Sequence, residues 1–85
     1  MRLVDLPLRS PATVVAVHAR GDADGIARRL AELGFAPGEP VEVLATGPVG
    51  REPLMVQVGY TRFALRRSEA ARVEVCVEAE AGAHE

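Results

Sequence analysis

The chain has 85 residues, 48 % of them hydrophobic, with 12 acidic side chains against 10 basic ones and a net charge of −2. That length holds one domain, and that hydrophobic content belongs to a folded chain rather than a disordered one. The slightly acidic balance excludes the broad positive field of a nucleic-acid or anionic-membrane binder, the lone Cys76 excludes an internal disulfide, and no apolar stretch approaches the ~20 residues of a membrane span.

Pro7 and Pro11 frame an extended lead-in, and Asp5 and Arg9 interrupt Leu3, Val4, Leu6 and Leu8, so no signal-peptide core forms. With a single cysteine, the expected location is the reducing cytoplasm. The β-branched run Thr13 to His18 predicts a first strand. The period then changes. Ile26, Leu30 and Leu33 recur at i, i+4 and i+7, with Ala27 and Ala31 beside them and Arg28, Arg29 and Glu32 on the other side, which predicts one amphipathic helix. Asp22 or Asp24 can cap its start, and Gly34 supplies the left-handed residue that ends it. Ala36-Pro37-Gly38-Glu39 has proline and glycine where a type II turn needs them.

Beyond the turn the alternation is that of strands. Val41, Val43 and Ala45 alternate with Glu42, Leu44 and Thr46. A loop over 47–53 leads to Leu54, Val56 and Val58 on one face, with Met55 and Gln57 on the other. Gly59-Tyr60-Thr61 is a tight connection to Phe63 and Leu65, Ser68 is placed to cap a single helical turn, and Val73, Val75 and Val77 form a closing strand. Five short half-buried strands and one early helix predict a mainly β fold with an inserted α-helix, an SH3-like small five-stranded barrel, because closure hides sheet edges. An OB-fold is the alternative, although its helix normally falls between the third and fourth strands. The expected domain covers 1–78, followed by a flexible acidic tail over 79–85.

No nucleophile, base and orienting group stand together in any recognisable pattern, so the expected role is binding and not catalysis. Structural zinc needs four Cys or His ligands, and Cys76, His18 and His84 cannot supply them. His18 beside strand carboxylates, or His84 with Glu78, Glu80 and Glu85, can at most hold a divalent transition metal loosely; no cofactor is obligatory. Arg62, Arg66 and Arg67 cluster, but Glu42, Glu69 and Glu74 in neighbouring segments make mixed surface ion pairs the simpler account than nucleic acid. Leu44 and Met55 are apolar where alternation points outward, with Tyr60 close in sequence. Together with Arg66 they form the candidate partner-binding patch. The competing reading makes Leu44 and Met55 a floor under the inserted helix.

The run Arg29-Leu30-Ala31-Glu32-Leu33-Gly34-Phe35-Ala36-Pro37-Gly38-Glu39-Pro40-Val41-Glu42-Val43 resembles the FeoA family of bacterial ferrous-iron transport proteins, where a helix of this form runs into x-P-G and a V-x-V strand. Pro48-Val49-Gly50, Gly59-Tyr60, Phe63-Ala64-Leu65-Arg66, Ser68-Glu69-Ala70 and Val73-Glu74-Val75 follow in the family's order, so the resemblance spans Leu3 to Val77. It implies an SH3-like barrel and a cytoplasmic accessory protein that assists or regulates FeoB, the membrane ferrous-iron permease, by contacting its cytoplasmic region. Similar domains end some iron-dependent repressors, but no helix-turn-helix accompanies this one. The apolar patch of Leu44 and Met55 suits another protein or a second copy of this chain, a homo-oligomer. The alternative role is a divalent-metal-responsive sensor or self-associating regulatory domain.

Overall fold

The computed structural model describes residues 1–21 and 24–77. A 3₁₀ turn over Leu3–Asp5 is followed by β1 (Ala12–Val17), α1 (Gly25–Leu33), β2 (Pro40–Val49), β3 (Glu52–Val58), β4 (Thr61–Leu65), α2 (Arg67–Ala70) and β5 (Val73–Val77). The strands form one antiparallel sheet in the order β4-β3-β2-β1-β5. The fold is therefore mainly β with an inserted helix, as expected. The barrel is a looser description, because among the described residues no ladder joins β4 to β5 and the sheet stays open. The chain passes from β4 to β5 through α2, whose Ala70 is buried in the core.

Alternation explains the core. Val41 and Val43 of β2, Leu54, Val56 and Val58 of β3, Leu65 of β4 and Val73 and Val75 of β5 all face one buried cluster. Helix α1 adds Ala27 and Leu30, with Leu33 half-buried, whereas Ile26 is exposed beside the cap. The buried stripe thus runs 27–30–33: Leu30 and Leu33 are as the hydrophobic periodicity suggests, and Ala27 takes the place of Ile26. Asp24 is the N-cap: its Oδ1 accepts from the backbone N–H of Ile26 at 3.0 Å and of Ala27 at 3.2 Å. Asp22, the other capping candidate, lies outside the described residues. At the C-terminus Gly34 has φ 118°, its N–H donates to Ala31 C=O, and the Phe35 N–H reaches back to Leu30 C=O. This is a Schellman motif, and it delivers Phe35 into the core.

Three segments depart from expectation. The stretch framed by Pro7 and Pro11 turns instead of running extended, with Ser10 N–H donating to Pro7 C=O and Arg9 at φ 64°, and residues 1–6 before it are built into the fold. The 3₁₀ turn folds Leu3 and Leu6 into the core, and Met1 and Arg2 run along the outer side of β5, where Val75 N–H donates to Met1 C=O at 2.7 Å and Arg2 bridges to Glu74. Ser68 is inside α2 rather than at its cap. Glu69 instead turns its carboxylate back to accept the Arg66 N–H at 2.8 Å, and Glu52 accepts the Arg67 N–H at 2.8 Å. The 47–53 loop is mostly strand. β2 continues to Val49, and Gly50 and Arg51, both with φ near +60°, make a two-residue hairpin turn of the primed type. Arg51 adopts there a conformation that favours glycine, so Arg51→Gly should raise stability by about 0.5–1 kcal/mol in urea unfolding.

Candidate partner-binding face

The side of the sheet turned away from the core is built by the same alternation that builds the core. On β3, Met55 and Gln57 point outward between the buried Leu54, Val56 and Val58. Met55 stands opposite Ala45 of β2 and Ala64 of β4, and Gln57 stands opposite Glu42 and Arg62. The pairing of β2 with β3 shifts between Val43 and Ala45, so Leu44 is the extra residue of a β-bulge. A bulge places two successive residues against one partner position, which sets Leu44 and Ala45 together across from Met55. Met55 is 38 % exposed and Leu44 half-buried. Helix α1 packs against β1 and α2, and Met55 stays open to solvent.

The other two residues of the expected patch lie apart from this pair. Tyr60 is fully exposed in the β3–β4 turn, and Arg66 follows β4 at the opposite end of that hairpin. The four residues therefore follow the length of the β3–β4 hairpin, with Leu44 and Met55 brought together in its middle. Sequence reasoning missed Val49, 80 % exposed at the tip of the β2–β3 hairpin, and Val15, exposed at a second bulge in β1. A valine next to Gly50 was the available signal for the first.

The charges around this face differ from the mixed ion pairs expected. Glu69 pairs with Arg29 at 3.4 Å, and Glu74 pairs with His18. Among the described residues Arg62, Arg66 and Arg67 join no ion pair; Arg62 Nε donates to the neutral Gln57 Oε1 at 3.1 Å. The β4 segment thus keeps its positive charge.

The FeoA domain family matches residues 1–77 of the 85. The chain belongs to the FeoA family. A crystal structure of FeoA from Stenotrophomonas maltophilia, solved with zinc and described as a prokaryotic SH3 domain protein, is 60 % identical with a TM-score of 0.81 over 88 % of both chains. A solution structure of iron(II) transport protein A from Clostridium thermocellum is 30 % identical, with a TM-score of 0.79 over 91 % of this chain and 45 % of that one. FeoA from Chlorobium tepidum is 31 % identical, with a TM-score of 0.77 over 91 % of this chain and 70 % of its own. Among curated proteins no significant match exists.

Zinc in a relative makes the metal candidates of this FeoA-family chain worth testing against its geometry. His18 Nε2 lies 2.8 Å from Glu74 Oε1, and the two line an open cavity of about 380 Å³ with Met1, Arg2 and Asp5. The hydrogen bond from His18 holds the Glu74 carboxyl below the usual carboxylate range. Arg2 and the Met1 amine bring positive charge to the same cavity. Among the described residues no three His, Cys, Asp or Glu side chains gather as metal ligands, fewer than even a catalytic zinc site uses. The described residues therefore do not fit a resident metal. His84 and Glu85 lie outside them. EDTA should leave the thermal unfolding midpoint unchanged; a drop on chelation would reveal a structural ion.

Asp24 holds the base of this architecture. Besides capping α1, its Oδ2 accepts from the Arg20 N–H at 2.8 Å and lies 3.1 Å from Arg72 Nε, with both side chains nearly buried. The Arg20 backbone N–H leads in lowering the Asp24 pKa, helped by Ala27, Arg72 and Ile26 and opposed by desolvation. A carboxyl that binds its proton less tightly when folded adds stability above the ordinary carboxylate range, about pH 4, and loses it as pH falls through the depressed value. Wild type should therefore exceed Asp24→Asn in stability at pH 6 by more than at pH 2.5, measured by urea unfolding.

Proposed function

We propose that this chain is a cytoplasmic, non-enzymatic accessory protein of ferrous iron transport that assists or regulates the permease FeoB by binding its cytoplasmic region. The observation that carries the reading is the apolar seam of exposed Ala45, Met55 and Ala64 with half-buried Leu44 on the outer sheet face, flanked by arginines that no described carboxylate pairs with. Adjacent apolar side chains rimmed by charge are the composition of a protein contact, not of a solvated surface. Membership of the FeoA family supports the transport context.

Met55→Asp tests it. An exposed side chain tolerates the charge, so the unfolding midpoint should stay within a few degrees of wild type. Burying that carboxylate against an apolar partner surface should weaken binding of the cognate FeoB cytoplasmic region by at least about tenfold. Unchanged binding with an unchanged fold would remove Met55 from the interface.

A further inference from the structure

The two margins of the sheet are finished differently. Along β5 the outer side is occupied by Met1, which exchanges hydrogen bonds with Val75, and by Arg2, which bridges to Glu74. Along β4 the outer side receives no backbone hydrogen bond from any described residue; its ladder is with β3 alone. Every second residue of a terminal strand turns its N–H and C=O outward, so β4 presents an unfilled template, and Thr61, Arg62 and Ala64 along it are exposed.

From this, and resting on the reading that the chain works by binding a partner, we propose that β4 takes an extended acidic segment of the partner protein as a sixth strand. Charge selects the occupant. Arg62, Arg66 and Arg67 follow one another along this segment without ion pairs among the described residues. Two carboxylates beside it, Glu52 and Glu69, are engaged by the backbone N–H groups of Arg67 and Arg66, and Glu69 also by Arg29. Arg62 and Arg66 are four residues apart and so share one face of an extended chain. An incoming strand with carboxylates at alternate positions meets both, with main-chain bonds supplying affinity and charge supplying register. A second copy of this chain is the poorer occupant: pairing β4 with its own equivalent would gather the arginines of both copies along one seam, and like charges opposite each other oppose a ladder.

The test uses the full chain, isotopically labelled, and a capped peptide of sequence Thr-Glu-Val-Glu-Val-Glu-Thr beside its counterpart with lysine in place of glutamate. The acidic peptide should shift the amides of 61–65 and slow hydrogen exchange at those among them that turn away from β3, and the lysine peptide should not. The double variant Arg62→Glu/Arg66→Glu, both changes on exposed side chains, should bind the acidic peptide at least about tenfold more weakly, a difference that shrinks in high salt. No binding, equal binding of both peptides, shifts confined to other strands, or protection of 61–65 in a dimer of the protein alone would each overturn the proposal. Repeating the titration with the FeoB cytoplasmic region separates the two readings. Binding that leaves 61–65 unprotected would defeat the strand-addition site while keeping the permease as partner. Peptide binding without FeoB binding would defeat the partner assignment and leave the site standing.

Discussion

Phe35→Ala should remove about 3–5 kcal/mol of folding free energy, the range for emptying a buried aromatic position. A chain of 85 residues has a total stability of about 4–13 kcal/mol, so this single truncation removes a large share of it. Phe35 is the largest fully buried side chain and lies against Phe63, with ring centroids 6.1 Å apart. It also stands immediately after Gly34, where the Schellman bonds fix the direction in which the chain leaves α1. The alanine variant therefore loses burial, the ring contact and the hydrophobic lock on the helix end. A fall of about 12–40 °C in the unfolding midpoint is expected, at about 4–8 °C per kcal/mol for a domain of this size. Phe35→Leu should retain most of the stability, and a small effect of the alanine change would place the core elsewhere.

The second large effect is expected at Gly47. A Cβ built there falls on the backbone carbonyl of Glu52 and within 2.9 Å of Pro53 Cδ, because β2 and β3 approach closely on their way into the hairpin. The obstructing atoms are main chain and ring, which cannot rotate aside. Gly47→Ala should cost about 2–3 kcal/mol, the upper range for overpacking a fixed site. Gly25→Ala is the control: nothing lies within 4 Å of its Cβ and its φ is unexceptional, so better helix propensity should leave stability unchanged or slightly raised. Equal losses at both glycines would mean that backbone freedom, not contact, decides the first result.

Much of this architecture is legible from local chemistry. The helix, its Gly34 stop, the Pro37-Gly38 turn and the alternating valines each follow from one or two residues whose conformational needs are strict, and the family motifs hold them in order. What escaped depends on long-range geometry. The core role of Leu3 and Leu6 carries no local signal, because only the partner across 70 residues of chain, β5, makes residues 1–6 fold back. The bulges at Val15 and Leu44 break a period of two without any glycine to announce them. The candidate face was legible as a pair, Leu44 with Met55, and illegible as a patch, because Tyr60 and Arg66 are near in sequence but sit at opposite ends of a hairpin. Whether the arginines are neutralised is decided by rotamers and by capping duties that composition does not express.

The interior place of β1 has a consequence for the order of events in folding. β1 pairs with β2 through two residue positions and with β5 through five, so the first strand made finds most of its ladder on the last. The hairpins β2–β3 and β3–β4 can close early from nearby chain, but the start of the protein must wait for Val73–Val77 before its hydrogen bonds are satisfied. Contacts of such high sequence separation place folding in the millisecond-to-second range of β-rich topologies. A nascent chain that has not yet reached residue 73 therefore exposes Val14 and Val41 along unfinished strands, and it is in that interval, not in the finished domain, that a chaperone would find a substrate.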